Sequence, residues 1–378
     1  MQADLDASFG QSKTRKPIIG IPLALSFVII IGAFAVYSST LFNFFCGDDY
    51  IHVQWLAKAV HDPSLIWRNF YGSWLDDRCA LYYRPFVSLS FVTDYVLWGA
   101  NGLGFRITNI TLLLAAASML FMIIKDLPRQ LETESRADIE WAVLASFLFV
   151  LYPLHPEAVV WITGRVDCLV APFYLASVWC YIRFRRSAHF LWLAGAAVMM
   201  ICALCSKEMG ISLPLAFVAY EIVYARQKDS RFTGKGIIMA NAFFFGLLAV
   251  YFYLRSIFLG SAVGGWNNAL TVELHTTVNN WAQGLEKMLL PFNDDAMKPY
   301  RAFKYRWDLS ILAASICSLL RFFADRKRSA DICFFFLLFG ACMLPVYKVF
   351  NISGDLESSR YAYLGTAPMC ALLTSWFG

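Results

Sequence analysis

Charge is what this sequence has least of. Only 16% of its 378 residues are Asp, Glu, Lys or Arg, while 59% are hydrophobic; an ordinary soluble domain carries about 25% charge. From Pro17 to Gly47 there is no charged side chain at all, and about 20 apolar residues suffice to cross a hydrocarbon layer of roughly 30 Å. The shortage excludes an ordinary soluble globular domain and points to lipid as the solvent. A cleavage site is also missing: the N-terminal MQADLDASFGQSKTRKP leads into a long apolar run without a clean small-residue site, so a retained first helix is expected rather than a removed leader. The ten cysteines are scattered. Cys202 and Cys205 sit three apart in an apolar run with no other ligands beside them, which argues against metal or redox work.

What is present is a repeated alternation of apolar runs and short basic bursts. Crossings are expected at about 17–42, 105–129, 140–156, 167–182, 189–205, 209–225, 237–256, 308–323 and 331–349, with a tenth beginning near Tyr361. Basic endings recur on every second connection: Lys13, Arg15 and Lys16; Lys125 and Arg129; Arg183, Arg185 and Arg186; Arg226, Lys228, Arg231 and Lys235; then RFFADRKRS. Such excess marks the cytoplasmic side. The reading is therefore an all-α polytopic membrane protein with residues 1–16 as a cytoplasmic N-terminus and 17–378 as one transmembrane domain, its outer loops at 43–104 and 257–306. Because the chain stops at TSWFG inside the tenth crossing, a longer parent protein is expected.

Residues 43–84 are too polar to span, and their Trp and Tyr residues alternate with charges, so short amphipathic helices along the outer surface are expected. Residues 85–100, PFVSLSFVTDYVLWGA, read as one more interfacial helix or a re-entrant piece, since sixteen positions containing Asp94 make a poor crossing. VELHTTVNNWAQGLEKMLLPF suggests another interfacial helix.

This threading sends Asp48, Asp49, Asp76, Asp77, Arg78, Arg84, His155, Glu157, Arg165, Asp167, Lys207, Glu208, Glu357 and Arg360 to the outer side, most of them close to a helix end. Charges beside hydrocarbon are costly unless paired or set in a wet cavity, so a one-sided collection implies an outward cleft. Arginines with carboxylates suit a substrate that is both phosphorylated and hydroxylated: a guanidinium fork holds phosphate, and a carboxylate takes a hydroxyl proton or holds a divalent cation. Plainer readings stand beside these. GDDY is also a solvated helix exit, HPEAVVWITGRVD a turn with internal ion pairs, SKE a local salt bridge, and Arg360 an anchor beside Tyr361 and Tyr363. The 33 Phe, 18 Tyr and 12 Trp read as lipid contact and interfacial belt, and the acceptor patterns at Asn109 and Asn351 carry no weight. Residue types alone do not separate a transferase from a transporter.

The order of blocks adds a resemblance. An acidic pair after the first crossing is followed by YYRPFVSLSFVTDYVLWGANGLGFRITNITLLLAAASML, LYPLHPEAVVWITGRVDCLVAPFYLAS, CSKEMGISLPLAFVAYE and ESSRYAYLG. This series resembles the GT-C fold glycosyltransferases of the protein O-mannosyltransferase superfamily, and within them the tetratricopeptide-repeat-bearing O-mannosyltransferase group and its bacterial relatives. The resemblance implies a membrane glycosyltransferase that moves a monosaccharide from a polyprenyl or dolichyl phosphate sugar to an acceptor hydroxyl on the noncytoplasmic face, with inversion. The family's catalytic acid falls on Asp48 and Asp49, with Asp49 slightly favoured as base and as a holder of a divalent cation, Mg or Mn, whose requirement stays open. Arg165, Lys207 or Arg360 is implied for the leaving phosphate; Arg84 for the same phosphate or as a loop anchor; Glu157 with His155 for the acceptor or metal site; and Glu208 for substrate binding. The implied partners are the lipid-linked donor, a protein, glycan or lipid acceptor, and membrane lipids, with no nucleic acid; the lack of a processing signal and the compact crossings fit a bacterial inner membrane, with the site facing the periplasm. Two departures weigh against parts of this: no helical repeats follow, and residues 257–306 hold no assignable motif. A transporter or flippase of lipid-linked glycans, or a noncatalytic scaffold with this fold, is the alternative; a transporter predicts charges deep in several crossings and internally repeated halves.

Overall fold

The structure, a computed structural model, describes residues 20–76, 81–128, 136–224, 234–262, 274–291, 326–353 and 355–375. Every regular element among these residues is helical. The apolar helix α1 (Gly20–Tyr37) is followed by three short helices, α2 (Asp49–Ala59), α3 (Ser64–Tyr71) and α4 (Pro85–Trp98). Next come α5 (Gly102–Asp126), α6 (Arg136–Val150), the single turn α7 (Pro156–Val159) and α8 (Arg165–Ser187). The helices α9 (Phe190–Leu204), α10 (Leu213–Tyr224), α11 (Gly234–Leu259) and α12 (Leu274–Leu289) lead to α13 (Arg326–Met343) and α14 (Tyr363–Thr374). Among the described residues four stretches are long and apolar enough to cross a membrane, 102–126, 162–187, 234–259 and 329–346, and 29–40 and 190–204 are shorter apolar helices. The fold is all-α and multi-span.

Helix α8 lies at the centre because its sequence carries no charge on any face from Cys168 to Ile182. Val170, Ala171, Tyr174, Leu175, Tyr181 and Ile182 are fully buried, packed against α5 on one side and α9 on the other. Helix α5 begins cleanly at Asn101, whose side chain accepts from the Leu103 N–H at 3.1 Å, satisfying one of the donors a helix start leaves open.

The charged side chains divide between the two ends of the bundle. At one end the Asp126 carboxylate accepts from Trp179 Nε1 at 2.7 Å and pairs with Arg183 and Arg186 at 3.4 and 3.3 Å. Arg185 meets Glu221 at 2.6 Å, and Tyr224 donates to Asp331 at 2.6 Å. The basic endings of α5 and α8 therefore gather with the end of α10 and the start of α13. At the other end lie the starts of α2, α5, α8 and α14 and the ends of α9 and α11, carrying the acidic pair and its neighbours.

Some boundaries differ from the expected ones. The first helix gives way at Ser38 to a 3-10 turn, and the expected crossing 209–225 opens with a 3-10 turn, Glu208–Ser212, before α10. Helix α4 packs one face, Val87, Ser88, Phe91, Val92 and Asp94, into the interior. The crossing expected at 308–323 and the residues Asp77 and Arg78 lie outside the described residues, as does the side chain of Asp76.

Candidate active site

The acidic pair is split by its surroundings. Gly47 turns the chain with φ of +55°, a backbone region that a residue lacking Cβ enters freely, and α2 starts immediately after it. Asp48 caps α2 with no side-chain hydrogen bond to the helix, and it is exposed. Asp49, one residue on, has no exposed surface. Its Oδ1 accepts from the backbone N–H and the hydroxyl of Thr163, at 3.0 and 2.8 Å. Its Oδ2 accepts from the Cys46 N–H at 3.1 Å and faces the Cys46 thiol at 3.8 Å. Arg106, from the first turns of α5, secures the same turn: it donates to the carbonyls of Asn43, Phe44 and Val160 at 2.5, 2.9 and 3.1 Å.

The segment 155–165 joins these elements. His155 is fully buried and its Nε2 lies 2.8 Å from the Thr366 hydroxyl of α14. The Asn109 side chain donates to Val159 O at 3.1 Å and accepts from Arg165 Nε at 2.8 Å. A Cβ on Gly164 would stand 2.5 Å from the Ala158 carbonyl oxygen and 2.6 Å from that of Glu157, so the turn closes only with glycine there. Arg165, fully buried, pairs with Asp94 of α4 at 2.5 Å and donates to Phe105 O at 2.6 Å. Asp94, which makes 85–100 a poor crossing, is thus the counter-charge that lets Arg165 be buried.

A second group completes the rim. Glu157 accepts from the Arg360 N–H at 2.9 Å and from the Ser359 hydroxyl at 3.1 Å, and its carboxylate lies 3.8 Å from the Arg360 guanidinium. That guanidinium stacks on Trp161 at 4.5 Å and faces Tyr361 at 5.3 Å. Lys207 is paired to Asp167, with the Tyr361 ring 5.3 Å from its ammonium. Glu208 lies between Arg84 at 3.0 Å and Arg255 of α11 at 3.8 Å. Burial pushes the Glu208 carboxyl up, but the two guanidiniums outweigh it and hold its pKa below the usual value. Arg84 also stacks on Tyr82 at 4.0 Å and Trp74 at 5.0 Å.

The described site residues thus fall at one end, but they divide by access. Asp48, Glu157, Glu208 and Arg360 retain exposed surface, while Asp49, His155 and Arg165 have none. The Arg165 guanidinium is engaged by Asp94, Asn109, Ser90 and the Phe105 carbonyl. His155 is enclosed by the rings of Phe149, Tyr152 and Tyr363. For a divalent cation, Asp49 has both oxygens engaged by protein donors, and among the described residues no group of three His, Cys, Asp or Glu side chains is arranged to hold a metal. Sequence reading missed Arg255 and Thr163. A single cation just before the end of an apolar 26-residue helix was the available signal for Arg255; nothing local marks Thr163.

The helices define an all-α, multi-span membrane fold. The chain superposes on the crystal structure of ArnT from Cupriavidus metallidurans bound to undecaprenyl phosphate with a TM-score of 0.52, at 13% identity, covering 95% of this chain and 59% of that one; the likeness is one of fold. In sequence it is similar to the protein O-mannosyl-transferases TMTC2 of Mus musculus (28% identical over 204 residues, 51% of this chain and 23% of that protein) and Tmtc2 of Drosophila melanogaster (26% over 351 residues, 89% and 35%). It is also similar to protein O-mannosyl-transferase TMTC4 of Homo sapiens (32% over 167 residues, 39% and 22%). No protein-family model matches the chain. The chain spans between 22% and 35% of the length of these three relatives. It is an all-α, multi-span membrane protein similar, at low identity, to these protein O-mannosyl-transferases.

Proposed function

We propose that the chain carries the active site of a membrane glycosyltransferase that moves one monosaccharide from a polyprenyl or dolichyl phosphate sugar to an acceptor hydroxyl, with inversion. The active face is the noncytoplasmic one, periplasmic in the bacterial inner membrane expected from sequence. Asp48 is the base. As the acceptor oxygen bonds to the anomeric carbon, the bond from that carbon to the phosphate oxygen breaks on the opposite side, the acceptor proton passes to Asp48, and the lipid phosphate leaves. One carboxylate on the attacking side meets this need without a covalent sugar intermediate. Arg360, whose side chain keeps exposed surface, supplies positive charge for the departing phosphate, with Arg84 and Arg255 behind it around Glu208, and the acceptor is a hydroxyl of a protein, a glycan or a lipid.

The observation carrying the reading is the division of the acidic pair: a solvent-facing Asp48 on a helix start that the buried Asp49 ties to Thr163. Asp49, the favoured base on sequence, is assigned here as the positioning residue, because its oxygens already accept three short hydrogen bonds. Transfer of labelled sugar from a panel of polyprenyl phosphate donors by the purified chain tests this. Transfer from at least one donor is expected; donor binding without transfer to any hydroxyl acceptor would favour the scaffold reading.

A further inference from the structure

The opposite, basic end of the bundle holds a second feature that the transfer chemistry does not use. Between α8 and α9 an apolar crevice of about 420 Å³ is lined by Cys180, His189, Leu191, Trp192 and Gly195. It exists because the hairpin is tight at its closed end: Ala188 takes the left-handed conformation with φ of +58°, and a Cβ on Gly195 would already meet Cys180 Sγ at 3.3 Å. Trp192, on its wall, is packed edge to face with Trp179, their centroids 5.2 Å apart, and carries the Arg183 guanidinium at 5.0 Å.

Among the described residues the charges beside it do not balance. Arg185 is matched by Glu221, whereas Arg183 and Arg186 share the single carboxylate of Asp126. Their bonds to it are long, 3.4 and 3.3 Å, and the two side chains are 38% and 47% exposed. Each guanidinium has five N–H donors, and the bonds described use few of them. Among the described residues two guanidiniums thus share one carboxylate, and that of Arg183 lies against the wall of an apolar slot at the end of a membrane-crossing helix.

We propose that this crevice binds one anionic phospholipid of the leaflet at the basic end, with an acyl chain in the slot against Trp192, Leu191 and Gly195 and the headgroup phosphate on Arg183 and Arg186. Charge complementarity selects the occupant: bilayer lipid is what surrounds α8 and α9 at this depth, and a juxtamembrane arginine adds attraction for an anionic headgroup that a zwitterionic one lacks. The site is independent of the transfer chemistry at the far end.

The test is native mass spectrometry of the full chain released from nanodiscs containing equal phosphatidylglycerol and phosphatidylcholine. One retained phosphatidylglycerol per chain is expected, and its retention in R183Q/R186Q is expected to fall roughly tenfold or more. K235Q, which removes one charge from the first turn of α11 away from the crevice, is the control and keeps the lipid; G195L, which fills the slot, loses it while leaving both arginines in place. Melting temperature in detergent checks that each variant is folded. Equal retention of the two lipids, unchanged retention in the folded double variant, displacement by inorganic phosphate alone, or equal loss in K235Q would each overturn the assignment.

Discussion

One oxygen of the Asp49 carboxylate accepts two hydrogen bonds from Thr163, from its N–H at 3.0 Å and its hydroxyl at 2.8 Å. The contact joins the start of α2 to the segment that precedes α8, and so fixes where Asp48 points. Because Asp49 is fully buried, its oxygens are satisfied by these protein donors rather than by water.

Thr163→Val removes the hydroxyl donor while retaining the N–H. A hydrogen bond to a charged group contributes about 1.5–3 kcal/mol, so a lower melting temperature in detergent is expected together with reduced transfer. An unchanged melting temperature would mean that the latch carries little of the local order.

The Arg165–Asp94 pair is buried on both sides. Removing one partner of such a pair costs about 3–5 kcal/mol because the other charge is left uncompensated. Arg165→Met and Asp94→Asn are each expected to cut folded yield sharply, while any folded protein binds donor as wild type does. A folded, stable Arg165→Met protein that has lost donor binding would instead make Arg165 a phosphate ligand.

Gly164→Ala drives a methyl group into the carbonyls of Glu157 and Ala158, neither of which can yield without moving the turn that carries Trp161 and Thr163. Loss of transfer is expected, with Gly246→Ala on α11 as a silent control, since nothing lies within 4 Å of a Cβ there. Equal activity of the two variants would show that the turn relaxes freely.

Acid is expected to weaken the first loop through His52. Its ring is held between Trp74 and Phe91, at 4.9 and 5.0 Å. Burial, and then the charges of Arg84 and Arg165, push its pKa down to about 4. In the unfolded chain the imidazole titrates near 6.5, so below that pH the unfolded chain takes up a proton that the folded one refuses. The stabilisation from neutral His52 is complete above about pH 6.5 and is lost as the pH falls toward 4, by on the order of 3 kcal/mol. Melting curves from pH 7.5 to 4.5 should show this slope, and His52→Gln should flatten it; an identical slope in the variant would assign it to other groups.

Much of the site was legible because each of its blocks abuts an apolar run. Once the runs are threaded, GDDY, YRP, HPEAVVWITGR, SKE and SSRY must arrive at one end of the bundle, and they do. What sequence did not reveal is which charges are accessible. Arg165 and Arg360 both stand at helix starts and look alike in the chain, yet Arg165 is sealed by Asp94 and Arg360 rests half-open on Trp161. That difference depends on partners brought from distant segments. The same holds for Asp48 and Asp49, where the helical turn sends adjacent side chains in different directions and only the second meets Thr163. Arg255 was overlooked for the opposite reason: it belongs to a crossing, and its pairing with Glu208 emerges only when α11 ends beside the 3-10 turn after α9.

The most direct measurement is single-turnover transfer of labelled sugar by Asp48→Asn and Asp49→Asn proteins, compared at equal folded amount with donor binding measured in parallel. Asp48→Asn is expected to lower transfer by about 10²–10⁴-fold, the usual span for a general base, with donor affinity and melting temperature unchanged. Asp49→Asn, which turns an amide toward the Thr163 or the Cys46 donor, is expected to lower the melting temperature and transfer together. Wild-type transfer by a folded Asp48→Asn protein would contradict the assignment of the base.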